Sequence, residues 1–204
     1  MLSELQTDAV REIVNIGVGR GTSMLAEMTN IGVALTVPEI LIMPYNQLNY
    51  KILELEGNVH VVTLPFIGTY KGLGQLIMNH THGQLIAGYL SGLEVDVAEN
   101  MEMLDGVLSE VSNVLLNGVI GSVSNIMGVE VKYQILNTYK GSVEGLFSSI
   151  EPEKTNDLVM VCKASFGLII EQKISANILL SFNEDTFGLL KEGIDRLLQL
   201  NNFD

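Results

Sequence analysis

The sequence predicts an α+β fold of two related halves, a pseudo-twofold duplication in which two long helices cover an antiparallel sheet. Three observations carry this. A polar pair recurs: Glu12 and Asn15 return as Glu110 and Asn113, displaced by 98 residues in both cases (12 to 110, 15 to 113), close to half of the 204-residue chain. The order of elements repeats with it, as helix-strand-strand-strand-helix. Neighbouring strands are joined by short turns rather than helical crossovers, which selects antiparallel pairing with segregated helices. No low-complexity tract or linker separates the halves, so the expectation is a single domain over 1–204, with pseudo-repeats at about 1–95 and 96–204.

Taken in order, Ser3 with Gln6 three residues on forms a capping box that opens a helix running to about Asn30, where Asn-Ile-Gly breaks it. Val33 to Val37 and Ile40 to Met43 are short strand-like runs punctuated by Pro38 and Pro44, and the polar stretch Asn46 to Asn58 reads as a loop or hairpin. Strands follow at His60–Ile67 and Gly72–Met78, joined through the glycine-bounded turn Gly68–Gly72. His82–Leu90 carries helical apolar spacing at Leu85, Ile86, Tyr89 and Leu90. The second half repeats the order: a helix over about Ala98–Met127, a strand near Val129–Leu136, a polar loop around Asn137–Asn156, strands near Leu158–Phe166 and Ile174–Phe182, and a helix over Glu184–Leu200.

Composition narrows the function. A chain that is 47% hydrophobic and 17% charged can bury a substantial core. Its formal net charge of −13, from 24 acidic and 11 basic residues, argues against a nucleic-acid backbone as ligand, because that needs clustered Lys and Arg. The one cysteine, Cys162, has no internal disulfide partner and sits in an apolar strand, which reads as an inert core thiol in a reducing, cytoplasmic setting. Ser3, Glu4 and Asp8 interrupt the amino-terminal apolar residues, so no secretory leader is expected. Runs such as Val159–Val161 and Leu168–Ile170 are far shorter than the roughly 20 residues of a membrane span.

On the first helix Asp8, Glu12, Asn15, Gly19 and Thr22 advance by four, three, four and three residues and so share one stripe, expected to face outward, while Ile13, Val14, Ile16, Leu25 and Met28 supply the apolar side. On the second helix Gly106, Glu110, Asn113, Asn117 and Ser124 form the matching stripe, with Val107, Val111, Val114 and Leu115 as apolar surface. A carboxylate can pair with a cation or act as a base. A side-chain amide both donates and accepts, and can hold a water in an attack geometry without changing its own protonation. With no His or Cys close by to complete a triad, any catalysis by these pairs borrows groups from a partner.

The pattern of Asp or Ser, three residues, Glu, two residues, Asn and, after 22 more, Pro resembles the signature of the CheC, CheX and FliY phosphatases of chemotaxis. Asp8, Glu12, Asn15 and Pro38 match it in full; the second copy keeps Glu110 and Asn113 but has Gly106 and Leu136 at the two supporting positions. Two motifs in a chain of this length resemble CheC most; a FliY would need a further switch domain, and nothing follows Asp204. The resemblance implies docking on a phosphorylated CheY-like response regulator and faster hydrolysis of its aspartyl phosphate. Asn15 or Asn113 would orient the attacking water and Glu12 or Glu110 would pair with the regulator's active-site lysine, while the regulator supplies Mg2+ and the phosphoryl group, leaving this chain no cofactor of its own.

Two other readings stand beside it: a binding module that sequesters the phosphorylated regulator or serves the CheD deamidase as an adaptor, and a structural flagellar component. His60, His80 and His82 lack ligand-spaced partners and are expected to be loop histidines rather than a metal site. Gly17-Val18-Gly19-Arg20-Gly21 follows no strand, so helix packing is expected of its glycines in place of a phosphate loop. The nine methionines read as core filler.

Overall fold

The computed structural model describes residues 2–69, 71–91, 101–148, 158–167 and 174–200. The α+β class and the antiparallel sheet hold. Helix α1 (Glu4–Thr29) opens on the Ser3–Gln6 capping box, with both reciprocal bonds made, and ends where Asn30 turns left-handed at φ 56°. It is followed by β1 (Ala34–Pro44), β2 (Asn58–Gly68), β3 (Gly72–Asn79), α2 (His80–Ser91) and α3 (Met101–Met127). Then come β4 (Val131–Tyr133), β5 (Asn137–Ser142), a short α4 (Val143–Ser148), β6 (Leu158–Gly167), β7 (Ile174–Phe182) and α5 (Glu184–Leu200). The predicted start of the second helix at 98–100, the loop residues 149–156 and the apolar run at 168–170 lie outside the described residues.

The strands form one seven-stranded antiparallel sheet in the order β1-β6-β7-β3-β2, with β4 and β5 both on the outer edge of β2. The order is a near palindrome. The first strand of each half leaves its own half: β1 pairs with β6, and β4 and β5 pair with β2, while β3 and β7 meet at the centre. The polar runs at the two edges read poorly as strands because each is half-solvated and bonded on one side.

Three expectations change. The two runs around Pro38 are one strand whose pairing shifts by a residue: Thr36 faces Ser165 and Glu39 faces Lys163, so two residues, Val37 and Pro38, oppose one. Among the described residues the second half holds four strands rather than three, because Asn137–Ser142, expected as loop, extends the edge of β2 from Asn58 to Thr63. And the sheet face away from the helices is not bare. Leu48, Leu53 and Leu55 of the 45–57 connection and Val143 and Leu146 of α4 are buried there against Val59, Val61, Ile77, Val159, Val161 and Leu179. That connection is polar in composition yet places a leucine wherever it meets the sheet, and the Asn177 side chain donates to Leu53 O at 2.9 Å to pin it. Burial of each such leucine is worth roughly 2 kcal/mol.

The other face carries the main core, under α1, α2, α3 and α5. Asp105–Met127 of α3 is long and apolar enough to cross a membrane, but Val111, Leu115, Leu116, Val119, Ile120 and Val123 within it are buried in this core. Helices α1 and α3 run antiparallel and touch at glycines: a Cβ on Gly17 would lie 2.6 Å from Gly118 O, and one on Gly21 would lie 3.1 Å from Leu115 Cα. The packing role expected of the glycine run is thus met at Gly17 and Gly21, whereas Gly19 faces open space. Of the apolar residues assigned to the inner side of α1, Ile13, Val14 and Leu25 are buried, but Ile16 and Met28 are exposed; the contact with α3 occupies only part of the helix circumference.

Gly17→Ala should therefore cost roughly 2 kcal/mol by overpacking and lower Tm by about 4–8 °C. Gly19→Ala, which gains helix propensity without a clash, should leave Tm equal or higher. Thermal unfolding followed by circular dichroism measures both.

Candidate functional site

The two Glu–Asn pairs lie on the crossed helices α1 and α3, and because Gly17 meets Gly118 in an antiparallel crossing, Asn15 and Asn113 fall on opposite sides of the contact point. Glu12 and Glu110 are exposed, as the stripes predict, and both asparagines are half-buried, one turn further in. Asp8, the supporting position of the first copy, ion-pairs with Arg11 at 2.8 Å, which leaves Glu12 beside it open to solvent. Gly106 puts no side chain at the equivalent place on α3. Thr22 and Ser124, assigned to the outward stripes, are buried instead.

The amides differ in what they hold. Asn15 turns toward β1: its Oδ1 accepts the Val37 backbone N–H at 2.8 Å, and its Nδ2 donates to Val37 O at 3.2 Å and to Arg11 O at 3.0 Å. These are the backbone groups that the extra residue of β1 withdraws from the ladder with β6, so the side chain substitutes for a missing strand partner. The 22-residue separation of Asn and Pro thereby has a structural cause. Pro38 occupies the bulge, where no N–H is needed, and Asn15 grips the residue before it. The bulge also moves the inward positions from odd to even numbers, so that Leu35, Val37 and Ile40 all reach the main core.

Asn113 makes a different contact: it accepts at Oδ1 from Asn117 Nδ2 at 3.0 Å, and among the described residues no bond joins it to the strand beyond. The bulge is nevertheless duplicated. Tyr133 faces Phe66 and Asn137 faces Thr63, so three residues, 134–136, oppose Leu64 and Pro65, with Gln134 N donating to Pro65 O at 2.9 Å. Ile135 stands where Val37 stands in the first half, but it is 87% exposed whereas Val37 is 1% exposed. The Tyr133 hydroxyl donates to Asn117 O at 3.3 Å, which ties this edge to α3 at the residue that holds Asn113. Partial burial pushes the Tyr133 phenol up. Asn117 was visible on the predicted stripe; the partnership of Val37 with Asn15 was implicit only in the spacing to Pro38.

The other groups with shifted pKa values, Lys163, Cys162 and His60, lie on the sheet. Lys163 is held between Glu54 at 2.7 Å and Glu39 at 3.2 Å, and its pKa is raised, by the Glu54 bond first. Complete burial pushes the Cys162 thiol up to about 12, so it is inert, as the sequence suggested. The histidines are not in loops. His60 is buried in β2 and stacks on His80 with ring centroids 4.6 Å apart and their nitrogens in contact, while His82 sits against the Ser175 backbone. Among the described residues no three His, Cys, Asp or Glu side chains converge as metal ligands.

The CheC-like family matches residues 5–42, the stretch from the first turn of α1 to Ile42 that contains Asp8, Glu12, Asn15 and Pro38. The resemblance is to the CheC-like family. Over nearly the whole chain the fold is similar to that of Thermotoga maritima FliY, at 18% identity and a TM-score of 0.74, covering 96% of this chain and 98% of that one. It is also similar to the FliM middle domain from H. pylori (13%, TM-score 0.60, covering 94% and 99%) and to a chemotaxis protein CheX from Desulfovibrio desulfuricans (14%, TM-score 0.52, covering 84% and 97%). The CheC-like segment thus sits in a fold shared with FliY, the FliM middle domain and CheX.

His60 generates a pH prediction. Burial first, then His80 and Lys140, lower its pKa from 6.5 to about 4, against a smaller upward pull from Asp105, which is ion-paired with Lys140. A folded-state pKa below the unfolded one contributes stability above pH 6.5 that is lost as the pH falls toward 4. The urea midpoint should drop between pH 7 and pH 4.5, and His60→Gln should show a smaller drop over that interval.

Proposed function

We propose that this chain accelerates hydrolysis of the aspartyl phosphate of a CheY-type response regulator, with Glu110 and Asn113 as the principal pair and Glu12 and Asn15 as the weaker one. The observation that carries the reading is the matched geometry: an exposed carboxylate with a half-buried amide one turn inward on each of two crossed helices, in a chain whose first copy lies inside the CheC-like match. Glu110 would form a charge-assisted contact with the regulator's active-site lysine and set the approach. Asn113, with its Oδ1 anchored by Asn117, would present its amide hydrogens toward the water or the phosphoryl oxygens. The regulator would contribute Mg2+ and most of the charge stabilisation, so positioning is what this chain adds.

A second reading, a docking module that sequesters the phosphorylated regulator or serves as a CheD adaptor without turnover, is favoured at the first site by one observation. Among the described residues every hydrogen bond of the Asn15 amide goes to a backbone group, and the amide must let go of Val37 before it can orient a water.

The test is the decay of a phosphorylated CheY-type regulator with the wild type and with single variants. Asn113→Ala should lower the stimulated rate about 100-fold at the second site, in the range for loss of a positioned catalytic group. Asn15→Ala should cost less activity but destabilise the fold by roughly 1–3 kcal/mol, because it strands the Val37 N–H and C=O. Binding without acceleration by the wild type would leave the docking reading.

A further inference from the structure

The second site carries a feature that the first lacks and that folding does not explain. Ile135 is a large β-branched residue in an edge-strand bulge, and it is 87% exposed although its counterpart Val37 is buried in the main core. The bulge bearing it is the counterpart of the one that Asn15 grips. It is tied back to α3 through the Tyr133 hydroxyl on Asn117 O and through Asn117 to Asn113. Two turns before Glu110, Met103 is 40% exposed, and two turns before Glu12, Leu5 is 61% exposed; these two residues are also 98 positions apart (5 to 103). Each carboxylate is therefore preceded on its own stripe by an unburied apolar side chain, and at the second site the bulge adds Ile135, where the bulge residue of the first site, Val37, is buried.

We propose that Ile135 and Met103 are docking anchors that seat the response regulator over Glu110 and Asn113, and that Ile135 gives the second site its preference for that partner. The proposal rests on the function argued above. A receiver domain is the occupant because the two residues flank the Glu–Asn pair whose chemistry that domain would complete: Met103 lies two turns before Glu110 on α3, and the bulge of Ile135 is bonded through Tyr133 and Asn117 on the far side of Asn113. Glu110 itself and Glu102, two turns before it on α3, are exposed carboxylates that suit a basic residue at the partner's active site. Apolar side chains at the centre of an interface, ringed by polar groups, supply most of the binding energy of such contacts. Separating the anchors from the chemistry also predicts how a loss would read: anchors act on binding, and Asn113 acts on the rate.

The experiment measures the dephosphorylation rate against regulator concentration, and binding of the beryllofluoride-activated regulator, for the wild type, Ile135→Ser, Ile135→Leu and the control Tyr50→Ser on the opposite sheet face. Ile135 is so exposed that its substitution spares the fold, which circular dichroism verifies. The expected result is a KM and Kd raised about tenfold in Ile135→Ser at unchanged kcat, recovery in Ile135→Leu, and no effect from Tyr50→Ser. Unchanged KM and Kd in Ile135→Ser, with the wild type active, would overturn the anchor assignment alone. Tight binding by the wild type without turnover would overturn the phosphatase reading, and the Kd series would still decide the anchor. No binding by the wild type would overturn both, and a change of oligomeric state in Ile135→Ser would assign the patch to a second copy of this chain.

Discussion

An extra residue in each edge strand is the constraint around which both halves are arranged. A bulge withdraws one residue's N–H and C=O from the ladder and exchanges the inward and outward positions beyond it. In β1 that exchange carries Val37 and Ile40 alike into the core, and the cost of the two orphaned backbone groups is offset by the amide of Asn15. In the second half the same excess at 134–136 is resolved without Asn113, through Gln134 on Pro65 and Tyr133 on Asn117, and Ile135 is left outside. One local irregularity, settled in two ways, thus makes two sites of the same sequence pattern physically unequal.

The frame that presents these sites depends on close backbone approach. Gly17 and Gly118 let α1 and α3 pack at a distance that a Cβ would prevent, with Gly21 close against Leu115, and that crossing fixes the outward direction of Glu12 and Glu110 while their neighbours Ile13, Val14, Val111 and Leu115 enter the core. Beneath them the exchange of β1 and of β4 with β5 between halves means that neither half closes its sheet without the other. The second core on the far face, with Leu48, Leu53, Leu55, Val143 and Leu146, packs against the sheet that carries both bulges.

Much of this was legible in the sequence where the signal is periodic. The capping box at Ser3, the stop at Asn30, β7 at Ile174–Phe182 and α5 at Glu184–Leu200 all fall where spacing and capping put them. The polar edge was not: β5 reads as loop because Thr138, Lys140 and Ser142 face solvent or an ion pair, and their strand character comes from the β2 edge they pair with. The buried leucines of the 45–57 connection escaped for a related reason, since their spacing follows the sheet beneath them and not a helix or strand of their own. The stripes put Glu12 and Glu110 on the solvent side of their helices, where both are exposed. The inward turn of Asn15 and the exposure of Ile135 depend on strand register, which one sequence does not carry.

The account turns on Asn15 being committed to the bulge while Asn113 is not, and amide hydrogen exchange reads this directly. In the wild type the Val37 amide should exchange slowly and the Ile135 amide fast; Asn15→Ala should release Val37 protection by about tenfold or more, the worth of a buried hydrogen bond, and Asn113→Ala should leave Ile135 unchanged. Equal protection of Val37 in the wild type and in Asn15→Ala would contradict the account.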